Sequence, residues 1–209
     1  MANTVDNNGW REFVAGKADG FRILYDRYVD QLLDFGCRFD SDKSLIKDLI
    51  HDLFLDLYRY RPRLDPDVNA RAYLYSSLRR RIVAARRKQK KFAALEEITE
   101  GEIPFLIEWD LEQLTIRNEE ERAKLSWVAQ ELAMLPRRQQ EALYLRFTCG
   151  LTYDQVADIM EVSEASCRTG VYRAIKSIRT RLGVKGISTQ LFTILLLQNE
   201  RVTRSGQFS

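Results

Sequence analysis

Breakers are scarce in this chain. Only four prolines and ten glycines punctuate 209 residues. Between them apolar side chains recur at helical spacing, and alternation of β-branched residues is nearly absent. A backbone patterned in this way folds as helices, so an all-α chain is expected. The interruptions fall at Arg61 to Asn69 (RPRLDPDVN), at the acidic stretch from Ile98 to Ile107 around Gly101 and Pro104, and at Pro136. They delimit an N-terminal helical domain over residues 8–92, an acidic linker over 93–119, a C-terminal helical domain over 120–184 and a tail over 185–209. The tail's LFTILLLQ segment suits a short docking helix, with no role assigned to it. A hydrophobic content of 45% gives both small domains enough material for a core.

Net charge, at +3, says little about partners until it is resolved along the chain. Arg59 to Lys91 holds twelve Lys or Arg against Asp65 and Asp67, whereas Ala93 to Glu121 holds ten acids against Arg117 alone. Two opposite blocks cancel in the total. Cys37, Cys149 and Cys167 are odd in number, far apart and without a CxxC or histidine cluster. Neither a disulfide framework nor a metal site is expected, and the compartment is read as reducing. The opening MANTVDNNGWREF has no basic stretch followed by an apolar run, and Ile194 to Leu197 is too short to span a bilayer. A soluble cytoplasmic protein without membrane insertion is expected.

Ser44 to Tyr60 (SLIKDLIHDLFLDLYRY) gathers Ile46, Leu49, Ile50, Leu53, Phe54 and Leu57 on one stripe. The opposite face carries Asp48, His51, Asp52 and Tyr58, with Leu55 among them. An apolar side chain ringed by acids is either a partner-binding patch, in which the leucine supplies buried area and the charges orientation, or an ordinary lone surface leucine. His51 is the only histidine, and no acid–base pair accompanies it.

Tyr73 to Lys91 (YLYSSLRRRIVAARRKQKK) turns Leu74, Leu78, Ile82 and Ala85 inward and lines up Tyr73, Ser76, Arg80 and Arg87 on an outer face. Arginines neutralise phosphates anywhere on a duplex, whereas tyrosine rings contribute most where bases are unstacked, about 1–3 kcal/mol per stacking contact. The mixture suits a junction of paired and unpaired DNA, which the preceding loop reaches with short polar groups such as Asn69. The competing reading is a solvated basic helix with half-buried tyrosines. It is preferred for Tyr75 and stays open for Tyr73.

The strongest motif is LPRRQQEALYLRFTCGLTYDQVADIMEVSEASCRTGVYRAIKSIRTRL, Leu135 to Leu182. Thr152 caps a short helix carrying Val156, Ala157 and Ile159, Glu161-Val162 makes a turn, and Ser163 caps a longer helix. On that second helix Cys167, Val171, Ala174, Ile178 and Leu182 face inward. Ser166, Arg168, Thr169, Tyr172, Arg173 and Lys176 are left outward, an outer face fit for a DNA major groove.

These stretches, with FRILYDRYVDQLLDF from Phe21 and NARAYLYSSLRRRIVAARRK, resemble bacterial RNA polymerase sigma factors of the extracytoplasmic-function (ECF) group. The first half looks like the second sigma region and the helix-turn-helix like the fourth. The resemblance implies that Asp48, His51, Asp52, Leu55 and Asp56 dock on the clamp helices of the polymerase β′ subunit, and that the β flap is a second contact. It implies that the Asp65 to Asn69 loop, Tyr73, Ser76, Arg80 and Arg87 open and read the minus-ten element, and that Ser163 to Lys176 reads the minus-thirty-five element. It also implies an anti-sigma partner and an acidic linker threaded through polymerase channels that otherwise hold nucleic acid. The chain departs from the family pattern at Tyr73 (often Trp), Glu161 (often Gly), Ala165 (often Gly) and Gly170 (often basic). No cofactor, metal or catalytic residue is expected. The alternative is a one-component helix-turn-helix regulator, which needs neither the aromatic entrance nor the acidic linker. An enzyme is disfavoured by the lack of a phosphate loop, metal cluster or activated nucleophile.

Overall fold

The computed structural model describes residues 2–92, 104–107 and 119–184, and all its regular structure is helical. The chain divides into two compact units, Met1–Glu100 and Gly101–Ser209.

In the first unit, α1 (Ala2–Val14), α2 (Ala18–Cys37), α3 (Lys43–Tyr60) and α4 (Ala70–Phe92) pack together, with a 3-10 turn at Arg61–Arg63 after α3. Helix α1 begins at Ala2. Asp42 starts α3 by accepting the N–H groups of Ser44 and Leu45 at 3.0 and 3.1 Å, satisfying two donors that the first helical turn leaves unpaired. The α3 stripe goes inward, with Ile46, Ile50, Leu53, Phe54 and Leu57 buried and Leu49 half-buried. Trp10, Phe13, Leu24, Tyr28, Leu32 and Phe35 complete the core together with Leu74, Leu78 and Ile82 of α4. Tyr75 is buried with its ring 4.9 Å from that of Phe35, the core position preferred for it. Gly20 sets the α1–α2 distance, because a Cβ there would overlap the backbone of Glu12 and Phe13.

The second unit holds α5 (Glu119–Ala133), α6 (Arg137–Leu143) running into a π-helical turn at Tyr144–Thr148, α7 (Tyr153–Met160) and α8 (Glu164–Val184). Thr152 and Gln155 form a reciprocal capping box at the start of α7. Glu161 then takes the left-handed conformation, φ 55° and ψ 48°, that turns the chain into α8. Ser163 starts α8 by accepting the Ser166 N–H at 3.2 Å. Cys167, Val171, Ala174, Ile178 and Leu182 are all buried, as are Val156, Ala157 and Ile159 on α7.

Part of the segment expected to be an acidic linker belongs to this core. Phe105 and Ile107 are buried, the Phe105 ring lies 5.7 Å from that of Tyr144, and the Ile107 N–H donates to Oε1 of buried Gln140 at 3.3 Å. The Gln140 amide donates in turn to the carbonyls of Ala133 and Leu135 at 3.0 and 2.8 Å. The apolar run Pro104–Ile107 outweighs the surrounding acids, since one buried Phe side chain contributes about 1.5–3 kcal/mol. Residues 93–103 and 108–118 of the linker and the 185–209 tail lie outside the described residues.

Candidate nucleic-acid interface

α8 stands on a rigid base: the α7 capping box, the Glu161 turn and five buried side chains fix its axis and rotation. Rotation decides chemistry here, because turning the buried stripe inward puts Ser166, Arg168, Thr169, Tyr172, Arg173 and Lys176 all at the surface. Tyr172 is 64% exposed, a large aromatic held toward solvent between two cations. Arg168 is already engaged. Its Nε and Nη2 donate to Glu164 Oε1 at 2.9 and 2.5 Å, and its guanidinium lies 4.6 Å from the centre of the Tyr153 ring. Arg146 lies 4.9 Å from the same ring and donates to the Leu151 carbonyl at 2.9 Å. Ser166 shares its hydroxyl with Ser163 at 2.8 Å. Thr169, Arg173 and Lys176 project from successive turns, a spacing that follows a groove.

In the first unit the basic helix is less uniform than its sequence. Arg79 is buried at 2% exposure. Arg81 pairs with Asp56 of α3 at 2.7 Å, and Arg86 with Asp40 at 3.0 Å. The block therefore splits into cations that hold α4 to its neighbours and cations that face water, Arg80, Arg87 and Lys88. Ser76 does not lie on an outer face as expected. It is 8% exposed, and its hydroxyl and carbonyl accept from Arg80 at 2.7 and 3.4 Å. α4 packs against α1, α2 and α3 at once, so its buried arc is wider than one stripe. Asn69 is half-buried and caps α4, its Oδ1 accepting the Ala72 N–H at 2.9 Å. Tyr73 is half-buried, with its ring 5.2 Å from that of Trp10.

On the outer face of α3, Asp48, His51 and Asp52 are exposed and Leu55 is 40% exposed. Asp56 is tied inside the unit: Arg81, through its hydrogen bond above all, and Arg59 at 3.5 Å hold its carboxyl below the usual aspartate range against the opposing effect of desolvation. Tyr58, one turn beyond Leu55 and 57% exposed, meets Phe21 edge-on at 5.7 Å, and Phe21 stacks with exposed Tyr25 of α2 at 6.4 Å. This aromatic extension across two helices escaped sequence reasoning, which projects one helix at a time. Its trace in the sequence is Tyr25, an aromatic on the polar side of α2.

Residues 24–92 match the Sigma-70 region 2 family and residues 125–178 the Sigma-70, region 4 family, together more than half of the chain. The chain is 28% identical over 173 residues to the ECF RNA polymerase sigma factor BldN of Streptomyces coelicolor, an alignment covering 78% of this chain and 61% of that one. It is 25% identical over 174 residues to SigK of Mycolicibacterium vanbaalenii (83% and 87%) and 23% identical over 157 residues to SigM of Bacillus subtilis (75% and 91%), both ECF RNA polymerase sigma factors. Among solved structures it shares its fold with sigma factor RpoE in complex with the anti-sigma factor NepR from Bartonella quintana, at TM-score 0.55 and 19% identity over 80% of this chain and 99% of that one. It also shares it with CnrH in complex with the cytosolic domain of CnrY, at TM-score 0.52 and 18% identity over 86% and 97%. Two helical units, the second a capped helix-turn-helix with a polar and basic outer face, and matches to both sigma regions in this order place the chain among the ECF RNA polymerase sigma factors.

Proposed function

We propose that this chain binds core RNA polymerase and directs it to one class of promoter, the first unit holding separated strands at the minus-ten element and the second reading the duplex at the minus-thirty-five element. The observation that carries this reading is the outer face of α8, where Thr169, Tyr172, Arg173 and Lys176 are all exposed on a helix whose rotation is fixed by five buried residues. Arg173 is assigned a base edge and Lys176 phosphate, in keeping with recognition-helix geometry. Arg168, held by Glu164 and Tyr153, presents a restrained guanidinium to the backbone or to a purine. In the first unit Tyr73 is assigned stacking, Arg80 and Arg87 phosphates, and Asn69 the shape of the loop through its cap.

Asp48, His51, Asp52 and Leu55, extended by Tyr58 and Tyr25, form the surface assigned to the β′ clamp helices, and the β flap is assigned to the second unit. Asp56 serves the same surface by fixing α3 to α4. An anti-sigma protein is assigned as a further partner, since RpoE of Bartonella quintana is held by one. The factor supplies recognition while polymerase supplies the chemistry, and it works where polymerase works, in the cytoplasm. Among the described residues no helix is long and apolar enough to cross a membrane. A one-component regulator is not favoured, because the first unit belongs to sigma region 2 and is not a sensor domain.

Reconstituted transcription tests this. Core polymerase plus the purified chain should initiate at a specific site on duplex DNA, while the chain alone gives no specific gel shift. Tight specific binding by the chain alone, with no initiation even from pre-melted bubble templates, would refute it.

A further inference from the structure

Helix α1 precedes the matched region 2 residues and has no part in the surfaces described so far, yet it touches the loop between α3 and α4 at two points. Trp10 is fully buried, and its indole N–H donates to the Asp65 carbonyl at 2.8 Å. One residue on, Arg11 pairs with Asp67 at 2.7 Å. The same Trp10 ring lies 5.2 Å from Tyr73 on the first turn of α4. Asp65 is the hub of the loop: its Oδ1 accepts the Asp67 N–H at 2.8 Å and its carbonyl receives the indole. Local bonds of this kind shape a turn but do not fix where it points. That is settled by contacts 55 and 56 positions away in the sequence.

We propose that Trp10 and Arg11 are positioning residues for minus-ten recognition, holding the Leu64–Asn69 loop and the Tyr73 ring in the arrangement that receives unstacked bases. This rests on the reading of that loop and α4 as the minus-ten face. A loop ordered before it binds loses less conformational freedom on binding, so an anchor outside the contact surface raises both affinity and discrimination. The Arg11–Asp67 pair is 55% and 73% exposed, where an ion pair adds little to stability, so its effect on the loop can be separated from folding.

The test uses the full chain with core polymerase on a promoter set carrying every single-base change in both elements. Trp10→Phe keeps an aromatic ring at this position and removes the indole N–H, and Arg11→Gln removes the pair from an exposed site where folding is not at risk. Trp10→Phe should lower initiation from duplex promoter by about five- to tenfold and Arg11→Gln by about two- to threefold, and each should flatten base discrimination within the minus-ten element. Discrimination at the minus-thirty-five element and affinity for core should stay within about twofold of the unsubstituted chain. Unchanged minus-ten discrimination in both variants overturns the proposal, as does an equal loss at both elements, which marks a mere loss of folded protein. An unsubstituted chain that initiates nowhere refutes the sigma reading itself, a separate outcome.

Discussion

Arg173 is exposed on a helix whose opposite face is buried. Arg173→Ala should weaken binding to the minus-thirty-five element by about 1–3 kcal/mol, the worth of a bidentate base contact. Holoenzyme titration on matched and mismatched duplexes measures this, and unchanged transcription from the cognate promoter would remove the assignment. Glu161 carries a different constraint: with φ at 55° it sits where a Cβ is strained. Glu161→Gly should stabilise the second unit by up to about 1 kcal/mol while Glu161→Ala does not, because glycine relieves the strain but adds freedom to the unfolded chain. Urea unfolding of the two variants gives the comparison. Asp56 predicts a pH dependence. Its carboxyl is held below the ordinary 3.8, so its pairing with Arg81 stabilises the fold above that value and fades as pH falls through the lower folded value. Asp56→Asn should therefore destabilise the chain at pH 7, with the difference from the parent shrinking as the two are compared below the ordinary carboxylate range.

Among the elements, α8 was legible and α4 only partly so. α8 buries one face, so a projection at 3.6 residues per turn recovers Cys167, Val171, Ala174, Ile178 and Leu182 without error and leaves the set proposed for DNA outward. α4 is covered by α1, α2 and α3, and the buried arc takes in Tyr75, Ser76 and Arg79 besides the predicted stripe. A projection cannot know how many neighbours a helix has, so it placed Ser76 outward. The α1–α2 crossing is likewise set by contact, at Gly20. Gly20→Ala should cost about 1–3 kcal/mol of stability by forcing the two helices apart. Thermal unfolding reads this directly, and an unaltered midpoint would show that the helices separate freely. On α3, replacing Asp52 and Leu55 together should lower co-purification with core polymerase while leaving helicity intact, since both side chains face solvent and neither supports the core.

For the molecule as a whole, the two units carry separate cores, and substitutions in one should leave the other unmoved. Phe105→Ala should destabilise the second unit by about 3–5 kcal/mol, the usual range for emptying a buried phenylalanine site. Hydrogen exchange should show the loss in α6 and α7 with α2 and α3 unchanged. The all-helical composition of the described residues, the helix-turn-helix with both its caps and the inward face of α8 follow from the sequence. Each of these depends on neighbours within a few positions, where helical period and capping chemistry act. What tertiary structure alone decided is which polar side chains remain available. Arg81 and Arg86 are spent on Asp56 and Asp40, Phe21 of α2 meets Tyr58 of α3, Pro104–Ile107 leaves the linker for a core, and Trp10 reaches Asp65. These pairings join residues far apart along the chain, and no local pattern encodes them, because their energy exists only once the helices have packed.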